Sequence, residues 1–314
     1  MKISGFTFAR NAAKLYYPIR ESIESILPIC DEFVVALGKG DEDDTTREEI
    51  LSIGSDKIKI IDTIWDDKWK RGTIHAVQTD VAMKACTGDW LFYVQADEVV
   101  HEDDLPIIKA RCEELLEDKR VEGLLFDYVH FWGDYDRYHA SHGWYPHEIR
   151  IVRNLPDVHS FESAQSFRRF DFWENPRQET GTHKLNVAKA NARIFHYGWV
   201  RPPHLMQNKR RYFYANHRGK EQSELDFAAA PKEFDYGPMS KIAKFTGSHP
   251  AVMKGMIARM NWKDKLQWEG KPDPGREPHK HEKTKNKILS FIEKNFNGGK
   301  QIFTFKNYNL LKDA

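Results

Sequence analysis

The chain has 314 residues, with 48 basic against 47 acidic side chains and a net charge of +1. That length suits one large domain, or one domain with an extension, and so even a balance makes no electrostatic case for nucleic acid as a partner. No apolar run approaches the length that spans a bilayer.

Residues 1–6 enter a strand-like run directly, without a signal-peptide core. The three cysteines, Cys30, Cys86 and Cys112, are widely spaced. They read as reduced, buried thiols, not a zinc site or a disulfide frame. A cytoplasmic protein is the expectation. Nine tryptophans point to a thick core or a ligand groove, the core first.

Residues 2–8 form a first apolar strand that ends on Ala9, Arg10 and Asn11. Pro18 suits the first turn of a helix whose stripe is Ile19, Ile23 and Ile26. A second strand covers 33–37 and opens into an acidic loop, 38–44. Thr45 with Glu48, or Thr46 with Glu49, makes a capping box for the next helix. A third strand at 57–64 and a helix at 73–85 lead to residues 88–98. There a turn enters the apolar run Trp90 to Val94, which stops on two acids, Asp97 and Glu98. A carboxylate where a buried strand of an open α/β sheet runs out lies at the ligand-binding edge. The other reading is that the two acids cap the following helix. That helix takes Asp103 or Asp104 as its cap, with Leu105, Ile108, Cys112 and Leu115 as its stripe.

Strands follow at 123–131, 147–153 and 192–197, with an aromatic loop at 132–139. Strand and helix alternate through the first half of the chain. This predicts a mixed, mainly parallel α/β sheet with helices on both faces. From Pro202 the pattern becomes mostly helical, with helices expected from 202 to about 219, at 239–245, at 250–262 and around Ile288–Phe296. A short strand is expected at 301–305. We read residues 1–200 as a catalytic domain and 201–314 as a mostly helical extension.

The order of four pieces resembles the family 2 glycosyltransferases, which have the nucleotide-sugar-binding GT-A fold. They are the first strand with Phe8, Arg10 and Asn11; the acidic loop 38–46; the run from Gln78 to Trp90; and Gln95-Ala96-Asp97-Glu98. The last is similar to the family's Asp-x-Asp motif, with Gln95 in place of the first acid. The acid that usually ends the second strand is absent, and Asp43 or Asp62 could contact the nucleotide instead.

The resemblance implies inverting transfer from a nucleotide-diphosphate sugar to a saccharide or lipid-linked saccharide. It implies Mg²⁺ or Mn²⁺ on Asp97, with His196 as a second ligand. Phe8, Arg10, Asn11, Asp43, Asp62, Gln78, Gln95 and Ala96 would line the donor site. A hard cation suits a carboxylate and phosphate oxygens. Glu98 either assists through water or positions the loop. Glu148 is the candidate base, with His147, Glu162 and Asp127 behind it, and a salt bridge to Arg150 or Arg153 as the rival reading. Trp132, Tyr135, Tyr138, Trp144 and Tyr145 offer a sugar-stacking floor or a packed loop. Arg201, Lys209, Arg210 and Arg211 read first as a solvated helix face and second as phosphate ligands. Peripheral membrane contact through residues 204–218 is compatible with catalysis. A catalytically silent nucleotide-sugar-binding protein of the same fold is the alternative function.

Overall fold

The computed structural model describes residues Met1 to Ala314. Its centre is four parallel strands joined by helices. β1 (Ile3–Ala9) leads through α1 (Ile19–Ile26) to β2 (Glu32–Gly38), and α2 (Thr46–Leu51) leads to β3 (Ile58–Thr63). α3 (Thr73–Lys84) then returns the chain to β4 (Trp90–Tyr93), which inserts on the other side of β1. β2 is buried along its whole length. Phe33, Val35 and Leu37 point to one face and Val34 and Ala36 to the other, as a central parallel strand requires.

The chain continues through β5 (Glu98–Val100), α4 (Leu105–Glu114), β6 (Gly123–Trp132), β7 (Arg137–His139) and β8 (His147–Arg153). A small antiparallel sheet of β9 (Val158–Phe161), β10 (Ser166–Phe170) and β11 (Thr182–Lys184) follows, and then the long β12 (Asn186–Trp199). β8 is antiparallel to both β4 and β6, so β6 runs in the direction of β4, and β12 is parallel to β6. The carboxyl ends of β1 to β4, β6 and β12 therefore share one edge of the mixed sheet. The amino end of β8 joins them there.

One apolar core, under α1 and α4, covers one face of the sheet. A second lies between the sheet and α3 with the small sheet. A third, rich in aromatics, joins β6 and β12 to residues from the last third of the chain. That third comprises α5 (Pro203–Arg218), α6 (Lys220–Ala228), β13 (Ala243–Lys244), α7 (Lys254–Ala258), α8 (Thr284–Phe296) and β14 (Asn309–Leu310). It is tied into the sheet. Trp132 Nε1 donates to the Tyr236 carbonyl (3.0 Å), Trp262 Nε1 donates to the Gly133 carbonyl (2.9 Å), and β14 pairs with β12.

Several local expectations differ from the structure. Thr45 and Thr46 form no capping box: the Thr46 hydroxyl donates to Asp44 (2.7 Å) and accepts from the Ala13 N–H (3.0 Å). Asp104 stands at the N-cap position of α4 as expected, but its carboxylate accepts from the Arg193 N–H (3.0 Å) and makes no capping bond, while His101 Nδ1 caps the preceding turn by accepting from the Asp103 N–H. The aromatic loop contains a strand, β7, because it pairs with β6 and β13. The stretches 239–245 and 250–262 are single 3₁₀ turns, a two-residue strand and the short α7. Met239 and Ser240 give their N–H groups to the Gln267 and Trp268 carbonyls, which leaves no helical ladder. The late strand is at β14, not 301–305, where the Ile302 N–H is taken by the Glu293 carboxylate (2.9 Å) and Phe303 has a φ of +56°.

Candidate active site

The segment after β4 is held by three hydrogen bonds, two with α1 and one with β12. The Ser22 hydroxyl of α1 donates to the Gln95 carbonyl (2.9 Å), Ser25 Oγ accepts from the Val100 N–H (3.1 Å), and the Tyr197 N–H of β12 donates to the Asp97 carbonyl (2.8 Å). α1 thus buries its isoleucines and spends its serines on aiming this loop.

Asp97 and Glu98 then diverge. Glu98 is fully buried and accepts four hydrogen bonds: Arg150 Nε and Nη2 (2.8 Å each), Tyr128 Oη (2.8 Å) and the Gln95 N–H (3.0 Å). Its oxygens are saturated, so it positions the loop. Asp97 faces the sheet edge. Its Oδ2 lies 3.3 Å from Lys209 Nζ and 3.7 Å from His196 Nε2. Burial pushes its pKa up, but Lys209, His196 and Arg201 together outweigh that and hold it at about 2. It is a carboxylate at neutral pH.

The hydrogen-bond network assigns the histidine tautomers beside it. Burial lowers the pKa of His130 to about 3 and that of His196 to about 4, so both rings are neutral at pH 7. His130 Nε2 lies 2.8 Å from the Tyr145 carbonyl, which can only accept, so Nε2 carries the proton. His130 Nδ1 is then an acceptor, and His196 Nδ1, 3.0 Å away, must donate to it. His196 Nε2 is left as a bare lone pair turned toward Asp97. Two donors of electron density, a carboxylate and an imidazole, face each other. This suits a cation, and the His130 contact is of the kind that fixes metal-binding histidines. No third carboxylate, imidazole or thiol completes a protein cage. Gly198 is required beside them: a Cβ there would lie 2.6 Å from both Asp97 Oδ2 and His196 Nε2.

Two cations from beyond residue 200 enter the same place. Lys209 donates to the Gly198 carbonyl (2.6 Å), and burial lowers its pKa to about 7, Arg201 adding to the effect. Arg201 is fully buried. It donates from Nη1 to the Leu15 carbonyl (2.6 Å), while its Nε and Nη2 have no partner. Both cations lie over the Tyr17 ring, at 4.9 Å and 4.4 Å. One carboxylate therefore faces two cations, with guanidinium donors free for an anion. The solvated-face reading of Arg201 and Lys209 is thus corrected. Arg210 also turns inward, over Phe227 and Phe234.

Glu148 lies at the start of β8, opposite Phe126 of β6, and Arg150 follows at a β-bulge. Burial raises its pKa to about 7 against the pull of Arg150, and its Oε2 has no partner. Arg150 is engaged by Glu98, and Arg153 donates all its hydrogen bonds to carbonyls, so neither rival salt bridge to Glu148 forms. His147 contacts Asp127 (2.7 Å). Glu162 stands in the β9–β10 turn, 3.9 Å from Arg177. Of the aromatic candidates, Trp132 and Tyr135 belong to the third core, and Tyr138 packs on Phe245. Tyr145 is exposed and meets His130 edge-on at 4.5 Å, and Trp144 stacks on His139 at 4.3 Å.

The proposed donor residues are spread along the same edge. A cleft of about 520 Å³ opens at the ends of β2 and β3, lined by Gly38, Asp41, Asp44, Arg47 and Asp62 among others. Asp62 pairs with Arg47. Asp43 points away, to Lys14. Asn11 accepts the Asp41 N–H (2.8 Å) and so ties the acidic loop to the end of β1. Arg10 lies over Trp65 at 5.3 Å and, with it, lines a second cleft of about 480 Å³. Phe8 stacks on His75 (5.4 Å). Gln78 is buried and accepts from the Thr63 hydroxyl (2.6 Å), Gln95 Nε2 donates to the Ala164 carbonyl (2.9 Å), and Ala96 packs on the first core. None of these last three side chains lines either of these two clefts. Sequence reasoning passed over Trp65, Tyr17 and His130. Trp65 had a signal, as an aromatic directly after a strand; the other two had none.

No family model and no curated protein matches the chain. Among solved structures, glucosyl-3-phosphoglycerate synthase from Mycobacterium tuberculosis, in complex with Mn²⁺, uridine diphosphate and phosphoglyceric acid, is 18% identical. The match covers 40% of this chain and 42% of that one, with a TM-score of 0.29. The same enzyme with glucosyl-3-phosphoglycerate, UDP and Mn²⁺ gives 18% identity, 42% and 45% coverage and a TM-score of 0.30. A further structure, described as a mycobacterial protein, gives 19%, 40% of each chain and 0.29. The chain thus spans less than half the length of each of these structures.

Proposed function

We propose that this chain is a glycosyltransferase of the GT-A type. It moves a hexosyl group, with inversion, from a nucleotide-diphosphate sugar to a saccharide or lipid-linked saccharide. The carrying observation is the pairing of the Asp97 carboxylate with the bare Nε2 of neutral His196, with Lys209 at Asp97 and the unsatisfied guanidinium of Arg201 on the same Tyr17 ring as Lys209. The donor set is hard enough for Mg²⁺ or Mn²⁺, with diphosphate and water supplying the other ligands. Held by Asp97 and His196, such an ion would draw charge from the leaving diphosphate.

The chain's own residues supply the rest. Arg201 and Lys209 donate to phosphate oxygens as negative charge grows there. The Glu148 carboxylate takes the acceptor hydroxyl proton, and the hydroxyl oxygen bonds to the anomeric carbon as the bond to the diphosphate oxygen breaks. The electron pair leaves with the diphosphate. Tyr145, exposed beside His130, offers a ring face to a sugar.

A catalytically silent donor-binding protein is the second reading. The Lys209 ammonium 3.3 Å from Asp97 favours it, since that cation alone partly neutralises the carboxylate. A thermal-shift panel of UDP, GDP, CDP and dTDP with their sugar conjugates, each with and without Mn²⁺, tests both readings. The transferase reading expects a Mn²⁺-dependent rise with one nucleotide, lost in Asp97→Ala, and turnover of its sugar conjugate. Binding without donor turnover supports the silent protein, and no shift with any nucleotide overturns both.

A further inference from the structure

The last helix of the chain is mounted with its polar side inward. In α8 the Glu293 carboxylate is buried and accepts from His142 Nδ1 (2.7 Å), while Ser290 Oγ accepts from the His142 N–H (2.8 Å). The opposite face carries Ile288, Phe291, Ile292 and Phe296, all exposed, Phe291 at 63% and Phe296 at 78%. The chain that follows leaves Phe303 90% and Phe305 81% exposed. Large apolar side chains gathered on one face like this mark a contact surface.

The charges say what kind. Residues 283–312 contain seven lysines and one acid, Glu293. The lysines are all exposed and none is in an ion pair, whereas the acid is buried. With about 3.6 residues per turn, Lys287 and Lys294 fall on one flank of the apolar stripe, and Lys285 lies in line with the stripe, just before Ile288. An exposed apolar stripe bordered by unpaired lysines is the pattern of a helix lying in the plane of a bilayer interface. A second copy of this chain fits poorly, because two-fold pairing would bring the unpaired lysines of both copies together with no exposed acid in this segment to meet them.

We propose that the exposed face of α8, with Phe303 and Phe305, docks on an anionic lipid bilayer. The inward side of the same helix holds His142, and Gln301 Nε2 donates to the Trp144 carbonyl (2.8 Å). Docking would therefore hold the wall beside Tyr145 and His130 next to the membrane. The proposal rests on α8 and the segment that follows it, and is independent of the transferase reading.

The test is co-sedimentation of the full chain with phosphatidylcholine vesicles, with and without phosphatidylglycerol, at low and high salt. Binding is expected only with the anionic lipid, weakening as salt screens it. Lys285→Gln, Lys287→Gln and Lys294→Gln together should weaken it roughly a hundredfold. Phe291→Ser with Phe296→Ser should weaken it at least about tenfold, with an unchanged melting temperature, since both side chains are exposed. Absence of binding to anionic vesicles at low salt overturns the proposal, as does binding that the Phe291→Ser, Phe296→Ser variant retains in full. A dimer by light scattering that this variant makes monomeric, without vesicle binding, would overturn it in favour of a second copy.

Discussion

Replacing Glu148 with glutamine should weaken catalysis and strengthen the fold at once. Burial raises this carboxyl from an ordinary 4.5 to about 7, so the folded chain holds its proton more tightly than the unfolded chain does. Between those two values the folded state binds more protons. The contribution of Glu148 to stability is therefore greatest below pH 4.5, falls as pH rises, and is fully lost above pH 7. At 1.36 kcal/mol per unit, the ionised Glu148 costs about 3 kcal/mol at pH 8. Glutamine has nearly the same shape and no charge, so the variant escapes that loss. Urea unfolding of parent and Glu148→Gln at pH 5 and pH 8 measures it. The variant should be more stable by about 3 kcal/mol at pH 8, and the gap should shrink strongly at pH 5. Donor-induced thermal shifts should be unchanged, while transfer falls roughly 10²-fold. A stability gap equal at both pH values would refute the burial argument. A pH-dependent gap with undiminished transfer would leave Glu148 a half-buried acid without a catalytic role and move the base to Glu162 or His147.

In the parent, Glu148 ionises and Lys209 loses its proton over the same range, so transfer should pass through a maximum near pH 7, and a rate flat from pH 5.5 to 8.5 would contradict these assignments. Arg150→Met leaves Glu98 buried without its counter-charge and should destabilise the chain by about 3–5 kcal/mol in urea; a loss under about 1 kcal/mol would show that Glu98 finds other partners. Gly198→Ala sets a methyl group 2.6 Å from both Asp97 and His196. It should abolish the Mn²⁺-dependent shift in a chain that still folds, and a normal shift would remove these two residues from the cation site. His130→Phe releases the His196 tautomer and should weaken Mn²⁺ binding about 10–100-fold by titration calorimetry. Unchanged affinity would mean that His196 is not a ligand.

Much of the frame was legible in the residues themselves. The two-residue alternation of Phe33 to Leu37 and the spacing of Ile19, Ile23 and Ile26 are local signals, and both elements formed where those signals lie. Asp97 could be placed at a strand end for the same reason, and so could His196 near the end of β12. Roles that depend on distant partners were not legible. Asp97 and Glu98 are adjacent and alike in charge, yet Arg150, 52 residues on, engages one of them, and Lys209, 112 residues on, meets the other. Nothing local distinguishes His130 as the group that sets the tautomer of His196, because that contact exists only once β6 and β12 lie side by side. The periodicity of α8 likewise shows an apolar stripe but not which side the protein covers. Periodicity sorts side chains around their own axis. Only the packing of one element on another decides which face is buried and which charges meet, and those meetings shift pKa values and make a site.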